Sequence, residues 1–157
     1  MASPSELATV LTFQLTSQID TSYFMYVQKA QPGQVVAITS QNIPKTSLKT
    51  WIYDPTNSKL FLQYDFDQGN EDSSYRLVVQ STDGSARIRI TPAGTDDCLT
   101  WTMVKFKSNQ YRFDSIEKPG YSLGLLSGVG DGVGVVLVET DTTWQTLGQI
   151  WQASFNP

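Results

Sequence analysis

The densest group of potentially reactive side chains is the acidic segment "DFDQGNEDSS", which begins at Asp65. It holds four carboxylates within eight residues, and Ca²⁺ prefers clustered carboxylate oxygens. An EF-hand loop beginning at Asp65 would require glycine at its sixth position and glutamate at its twelfth, but Asn70 and Arg76 stand there. We therefore predict a solvated acidic loop, with no metal site and no cofactor.

Catalysis is constrained most by the absence of histidine from all 157 residues. Without imidazole, Ser-His and Cys-His nucleophilic dyads are excluded, and so are metal sites that use histidine. A pair of carboxylates could still act as in glycosidases. Most of the acids, however, lie in predicted turns rather than in the apolar surroundings that raise a carboxyl pKa. The chain is therefore predicted not to be an enzyme, and no residue is assigned a catalytic role.

The overall charge and hydropathy limit which classes of partner the chain can have. A formal net charge of -4 opposes a phosphate-neutralising surface. No segment approaches the roughly 20 apolar residues of a membrane span, and "MASPSELATVLTFQL" lacks the basic and apolar regions of a signal peptide. We expect one soluble domain over residues 1–157, cytoplasmic or secreted without a classical signal peptide, with no nucleic-acid partner and no membrane span.

Short alternating segments dominate the chain and predict an all-β fold. Twelve candidate strands, among them "TFQLTS", "YFMYVQ", "KLFLQYD" and "ARIRIT", are rich in β-branched and aromatic residues. They are separated by turn sequences such as "QPG", "STDG" and "EKPG". This even spacing of short strands is typical of a barrel or a sandwich.

The tryptophans distinguish between those two architectures. Trp51, Trp101 and Trp151 are 50 residues apart, and strand-like segments recur in the same order around each of them. The repeat continues across the chain ends, because the N-terminal strands are the missing partners of Trp151. Three four-stranded units can close six strands into a barrel and cover it with three hairpins. We therefore predict a β-trefoil with units over residues 10–53, 54–104 and 105–157.

The C-terminal "GQIWQ" carries a recognisable motif, because Gln149 and Trp151 form a Q-x-W pair. In this it resembles the ricin-B-type β-trefoil lectins, including the small fungal-type lectins. Lys49 and Leu99 stand where the other two units would carry the glutamine. The resemblance implies a tryptophan in the core beneath the hairpin cap and a lectin-like module that binds carbohydrate or glycoprotein.

The sugar-binding residues of that family are absent at the matching positions. The resemblance implies an aspartate after the second strand of a unit, an aromatic platform in the third strand and an amide beyond it. An aspartate and an aromatic ring would hold sugar hydroxyls and stack on the sugar face, respectively. None of the matching residues has the required type; they are Tyr26, Val78 and Gly124 for the aspartate and Thr39, Thr91 and Val138 for the platform. Any sugar site is predicted to be non-standard.

Two polar segments are the candidate ligand contacts. The connection "SQNIPKT" offers amides, a hydroxyl and a cation on an exposed loop. The segment "ETDTTWQ" offers a tryptophan outside the 50-residue spacing, beside an acid and an amide. The candidate binding residues are Ser40, Gln41, Asn42, Lys45, Asp141, Trp144 and Gln145.

Two other functions remain open. The acidic segment contains Asn70 next to a glycine, which resembles the loop by which some trefoil inhibitors present asparagine to asparagine-specific cysteine proteases. Asn70 is therefore a candidate inhibitory residue. The chain could equally be a non-catalytic companion subunit that binds another protein through the trefoil surface.

Overall fold

Most of the regular secondary structure in the described part of the chain is β-strand, beside two short 3₁₀ helices, Thr46–Leu48 and Leu147–Gln149. The structure, a computed structural model, describes residues 10–63, 75–80, 87–92, 98–126 and 128–155. Twelve strands lie in these residues, which confirms the all-β prediction. They are β1 (Leu11–Ser17), β2 (Phe24–Tyr26), β3 (Ala37–Thr39), β4 (Trp51–Asp54), β5 (Lys59–Leu62), β6 (Tyr75–Gln80), β7 (Arg87–Pro92), β8 (Trp101–Lys107), β9 (Gln110–Ser115), β10 (Tyr121–Gly124), β11 (Val136–Glu139) and β12 (Trp151–Phe155).

Six of the strands follow one another around a closed layer. The first strand, β1, pairs with β12 on one side and with β4 on the other. The order continues because β4 pairs with β5, β8 with β9 and β9 with β12. The Trp101 N–H donates to the Ser58 carbonyl at 2.8 Å, which joins β8 to the β4–β5 turn. Phe155 faces Phe13 in the β1–β12 pair, so the C-terminal strand is a seam of the barrel, as the sequence predicts.

The other six strands form three hairpins, β2–β3, β6–β7 and β10–β11. Three backbone hydrogen bonds join them in a ring: Val36 N–H donates to the Ile88 carbonyl at 2.9 Å, Ile88 N–H to the Val135 carbonyl at 3.0 Å, and Val135 N–H to the Val36 carbonyl at 2.9 Å. Each hairpin thus donates to one neighbour and accepts from the other. This ring gives the hairpin cap its three-fold symmetry.

Three tryptophans fill the space between the barrel and the hairpin cap. Trp51, Trp101 and Trp151 are all 0% exposed. The indole N–H of Trp51 donates to the Met25 carbonyl, and that of Trp151 to the Leu123 carbonyl. The 50-residue spacing therefore marks a repeated core position, as predicted.

The strand order assigns β1–β4, β5–β8 and β9–β12 to a first, second and third unit. The extent of a single domain over residues 1–157 stays a prediction. Asn70 and the acidic segment that begins at Asp65 lie outside the described residues. No helix within the described ranges is long and apolar enough to cross a membrane.

Candidate functional site

The third unit has no room for the aspartate of the lectin-type sugar site. Gly124 stands at that position, and a Cβ added to it would lie 2.7 Å from Val138 Cγ2 and 3.0 Å from the Gly148 carbonyl oxygen. Real side chains do not tolerate contacts this short in a packed site. The structure therefore agrees with the sequence comparison, in which neither Gly124 nor Val138 has the required type.

The glutamine of the Q-x-W motif has a structural role in this chain. Gln149 is 4% exposed. Its amide oxygen accepts from the Asp141 backbone N–H at 2.9 Å, and its amide nitrogen donates to the Glu139 carbonyl. Both groups of the amide are thereby used to fix the chain that leaves β11, since a buried amide needs such partners.

The Asp141 side chain closes its own loop. One carboxylate oxygen accepts from the Thr143 backbone N–H at 2.9 Å and from the Thr143 hydroxyl, and the other accepts from the Thr146 hydroxyl at 2.7 Å. The Thr143 and Thr146 hydroxyls hold the pKa of Asp141 well below its ordinary value because they stabilise the charged form. Asp141 is thus an ionised group that orders the loop before β12.

Trp144 is packed against other side chains. It adopts a left-handed backbone conformation with φ of 62°, and its ring stacks on Phe106 with centroids 4.6 Å apart. The Arg112 guanidinium carbon lies 4.2 Å from the same ring centroid, and Arg112 also forms two hydrogen bonds to Asp114, at 2.6 and 2.9 Å. These contacts anchor the β11–β12 loop to β8 and β9. Ligand binding by Asp141, Trp144 and the exposed Gln145 stays a prediction.

Ser40 and Gln41 bind a carboxylate of the protein itself. Asp131 accepts hydrogen bonds from the Ser40 N–H at 2.8 Å, the Ser40 hydroxyl at 2.9 Å and the Thr39 hydroxyl at 3.1 Å through one oxygen, and from the Gln41 amide at 3.2 Å through the other. These hydrogen bonds lower the pKa of Asp131, and the bond from the Ser40 backbone N–H contributes most, because donors stabilise the charged carboxylate. This cluster ties the end of β3 to the β10–β11 connection. Asn42, the residue after Gln41, is exposed.

A depression beside Lys45 combines the polar groups of two connections in the first unit. Its volume is about 270 Å³, and we call it the first-unit pocket; it is lined by Gln28, Lys29, Ala30, Gln31, Lys45 and Leu48. The first four of these lie between β2 and β3, and the last two lie between β3 and β4. The Val27 N–H donates to the Leu48 carbonyl at 3.0 Å, which holds the two connections together.

The lining of the first-unit pocket suits a polyhydroxylated ligand. Amides can both donate to and accept from hydroxyls, ammonium groups donate, and the two apolar side chains can contact the carbon faces of a sugar. Lys45 is the one sequence-predicted residue among the described lining residues. Gln28, Lys29 and Gln31 were not predicted, although the polar run "QKAQ" directly after the strand "YFMYV" is a signal for them.

Comparison with known proteins rests on structure. No known protein-family profile matches the chain, and no curated protein matches it in sequence. The designed three-fold symmetric protein ThreeFoil is similar with a TM-score of 0.68 and 18% identity, over 90% of this chain and 96% of ThreeFoil. The fold is a β-trefoil. The Rhizoctonia solani agglutinin is similar over 99% of both chains, with a TM-score of 0.66 and 13% identity.

Other structures with this fold include lectins and larger proteins. The C-half of the earthworm R-type lectin, solved in complex with GalNAc, has a TM-score of 0.66 and 10% identity over 93% of this chain and 99% of its own. In a mosquitocidal holotoxin, the matching part is 17% of that chain. Identities this low establish the fold and leave the activity to be argued from the site. The predicted β-trefoil is confirmed, and the neighbours have the fold of ricin-B-type lectins.

Proposed function

We propose that this β-trefoil is a non-catalytic carbohydrate-binding module whose ligand occupies the first-unit pocket. The observation that carries the proposal is the lining of that pocket. Amides and lysines from two connections surround a volume of about 270 Å³, which is close to the lower end of ligand-site volumes, about 300 Å³.

The fold supports the class of ligand. Earthworm lectin structures with this fold are solved in complex with GalNAc and with 6'-sialyllactose. A carbohydrate site in the present chain would differ from the aspartate-based site, because Gly124 leaves no space for that side chain in the third unit. Hydroxyl recognition would instead rest on Gln28 and Gln31, each exposed at the pocket.

The residues that line the first-unit pocket favour binding without catalysis. One similar structure belongs to an endo-β-galactosidase, but the matching part is 33% of that chain. The described lining of the first-unit pocket holds no carboxylate, whereas glycoside hydrolysis ordinarily requires a pair of them. The protease-inhibitor, companion-subunit and fungal-type assignments stay predictions.

Binding of the purified chain to a glycan array, followed by calorimetric titration of the best ligand, tests the proposal. Gln31→Ala is expected to weaken binding about tenfold, since a polar contact to a sugar is lost. Gln145→Ala is the matched control, because it removes an exposed amide from the third-unit loop instead. Absence of binding to every glycan at millimolar concentration contradicts the proposal. A loss caused by Gln145→Ala alone would move the site to the Trp144 loop.

A further inference from the structure

The first-unit pocket is the first of three adjoining depressions. A second depression, of about 290 Å³, shares Gln28 with it. A third, of about 320 Å³, shares Val35, Arg87 and Gly132 with the second. The three depressions thus follow one another from the first unit across the hairpin cap. We call them together the cap groove.

Each depression of the cap groove is lined by both hydrogen-bonding and apolar groups. The second depression adds the Gln34 amide and the half-buried aromatic side chain of Tyr26. The third adds the apolar side chains of Val133 and Leu126, and the Leu126 side chain is 74% exposed. Repeated pairing of polar donors with carbon surfaces matches a chain of sugar rings better than one ring.

The charge of the cap groove is opposite to that of the whole chain. The chain carries 15 acidic and 11 basic residues, yet Lys29, Lys45 and Arg87 line the groove and no aspartate or glutamate is among its described lining residues. Asp131, next to the lining residue Gly132, keeps its negative charge because its hydrogen-bond donors, Thr39 to Gln41, are neutral groups. The three basic lining residues nevertheless outnumber this carboxylate. A local reversal of charge attracts an anion by long-range steering as well as by contact.

We propose that the ligand of the cap groove is an acidic oligosaccharide, with one anionic group at Lys29 and Lys45 and a second at Arg87. This inference rests on the proposed carbohydrate-binding function and names its ligand class. The guanidinium of Arg87 has the planar fork that matches a carboxylate or a sulfate. The ammonium groups of the two lysines act as point charges and can bind either a carboxylate or a sulfate. The ligand class is therefore a sugar chain that carries anionic substituents of either kind.

Matched saccharides test the proposal by calorimetric titration. The first probe is tetragalacturonate, and its fully methyl-esterified form has the same length without the charge. Sulfated galactotetraose and neutral galactotetraose form a second pair, which separates sulfate from carboxylate recognition. At low salt, at least one charged member is expected to bind about tenfold more tightly than its neutral partner, and this preference is expected to weaken at high salt because salt screens surface charges.

Charge-removing substitutions localise the effect. Lys29→Gln, Lys45→Gln and Arg87→Gln are each expected to weaken binding of the charged probe about threefold to tenfold. Each is expected to weaken binding of the neutral probe less, because the glutamine amide can still donate a hydrogen bond to a hydroxyl. Lys118→Gln is the control, since Lys118 is exposed between β9 and β10 and does not line the groove. Unchanged thermal melting shows that each variant is folded.

The outcomes separate the two proposals. Equal affinity for charged and neutral probes overturns the acidic ligand class and leaves the carbohydrate-binding proposal standing. Charged-probe binding that is insensitive to Lys29→Gln and Arg87→Gln also overturns the inference, because the site would then lie elsewhere. Equal affinity for galacturonic acid and tetragalacturonate overturns the extended groove. No binding of any saccharide contradicts both proposals.

Discussion

The three core tryptophans occupy equivalent positions but have unequal hydrogen bonds, which predicts unequal effects of the same substitution. Trp51 Nε1 donates to the Met25 carbonyl at 3.0 Å and Trp151 Nε1 to the Leu123 carbonyl at 3.1 Å. Trp101 Nε1 is buried and has no hydrogen-bond partner in the described part of the chain. The carbonyl at the corresponding place in the second unit, that of Leu77, accepts from the Leu99 N–H at 3.2 Å.

Replacement of each tryptophan by phenylalanine turns this difference into a difference in the free energy of unfolding. All three substitutions remove a similar part of a fully buried ring. Trp51→Phe and Trp151→Phe also leave a buried carbonyl without its donor, at a cost of about 1–3 kcal/mol. Trp101→Phe instead removes a buried donor that is already unsatisfied, which is a gain of similar size. Trp101→Phe is therefore expected to be the least destabilising, by about 2 kcal/mol or more.

Urea denaturation followed by far-ultraviolet circular dichroism measures the three values without depending on tryptophan fluorescence. The slope of free energy against urea should stay the same in the three variants, which shows that each unfolds as the parent does. Equal destabilisation by Trp51→Phe, Trp101→Phe and Trp151→Phe would refute the reasoning. So would a Trp101→Phe variant that is the least stable of the three.

Three further predictions concern packing, pH and the C-terminal seam. Gly148→Ala is expected to lower the free energy of unfolding by about 1–3 kcal/mol in urea denaturation, because its Cβ would lie 2.9 Å from a backbone oxygen; Gly134→Ala is the control, with no contact closer than 3.9 Å. Asp141→Asn should lower stability at neutral pH and reduce the loss of stability that the parent shows below about pH 4. The reason is that the pKa of Asp141 is lowered in the folded chain. The ionised side chain therefore stabilises the fold above the ordinary aspartate pKa, and this stabilisation is lost as the pH falls through the lowered pKa. Deletion of residues 151–157 should abolish cooperative thermal unfolding, since it removes β12 from its pairing with β1.

Each of the three has a result that contradicts it. Equal stability of Gly148→Ala and Gly134→Ala would show that the chain relaxes around the added methyl group. An acid denaturation curve of Asp141→Asn that is parallel to that of the parent would show that the loop hydrogen bonds contribute nothing. A truncated chain that melts cooperatively would show that β1 and β12 are not an essential seam.

The sequence predicts the fold well because the residues that repeat every 50 positions are large and buried. The spacing of Trp51, Trp101 and Trp151 places a full apolar ring in each unit, and such a ring must be buried. The ring of hydrogen bonds among Val36, Ile88 and Val135 could not be predicted in the same way. It consists of backbone groups, which every residue carries, so no side-chain pattern marks it.

The candidate site is harder to predict because its contacts join residues far apart in the chain. Ser40 and Asp131 are 91 positions apart, and nothing in the local loop sequence shows that the serine will face a carboxylate of the protein. The sequence predicts Trp144 outside the repeated core, but its stacking partner Phe106 lies on another strand, β8. The sequence predicts Lys45 as a polar loop residue, whereas most of its neighbours in the pocket come from the connection that contains Gln28.

The most direct test of carbohydrate binding in the first unit is a crystal structure of the chain soaked with a mixture of neutral and acidic oligosaccharides. We expect density for a saccharide between residues 28–31 and 45–48, with the Gln31 amide within hydrogen-bond distance of a sugar hydroxyl. Saccharide density beside Trp144, or none at millimolar concentration, would contradict it.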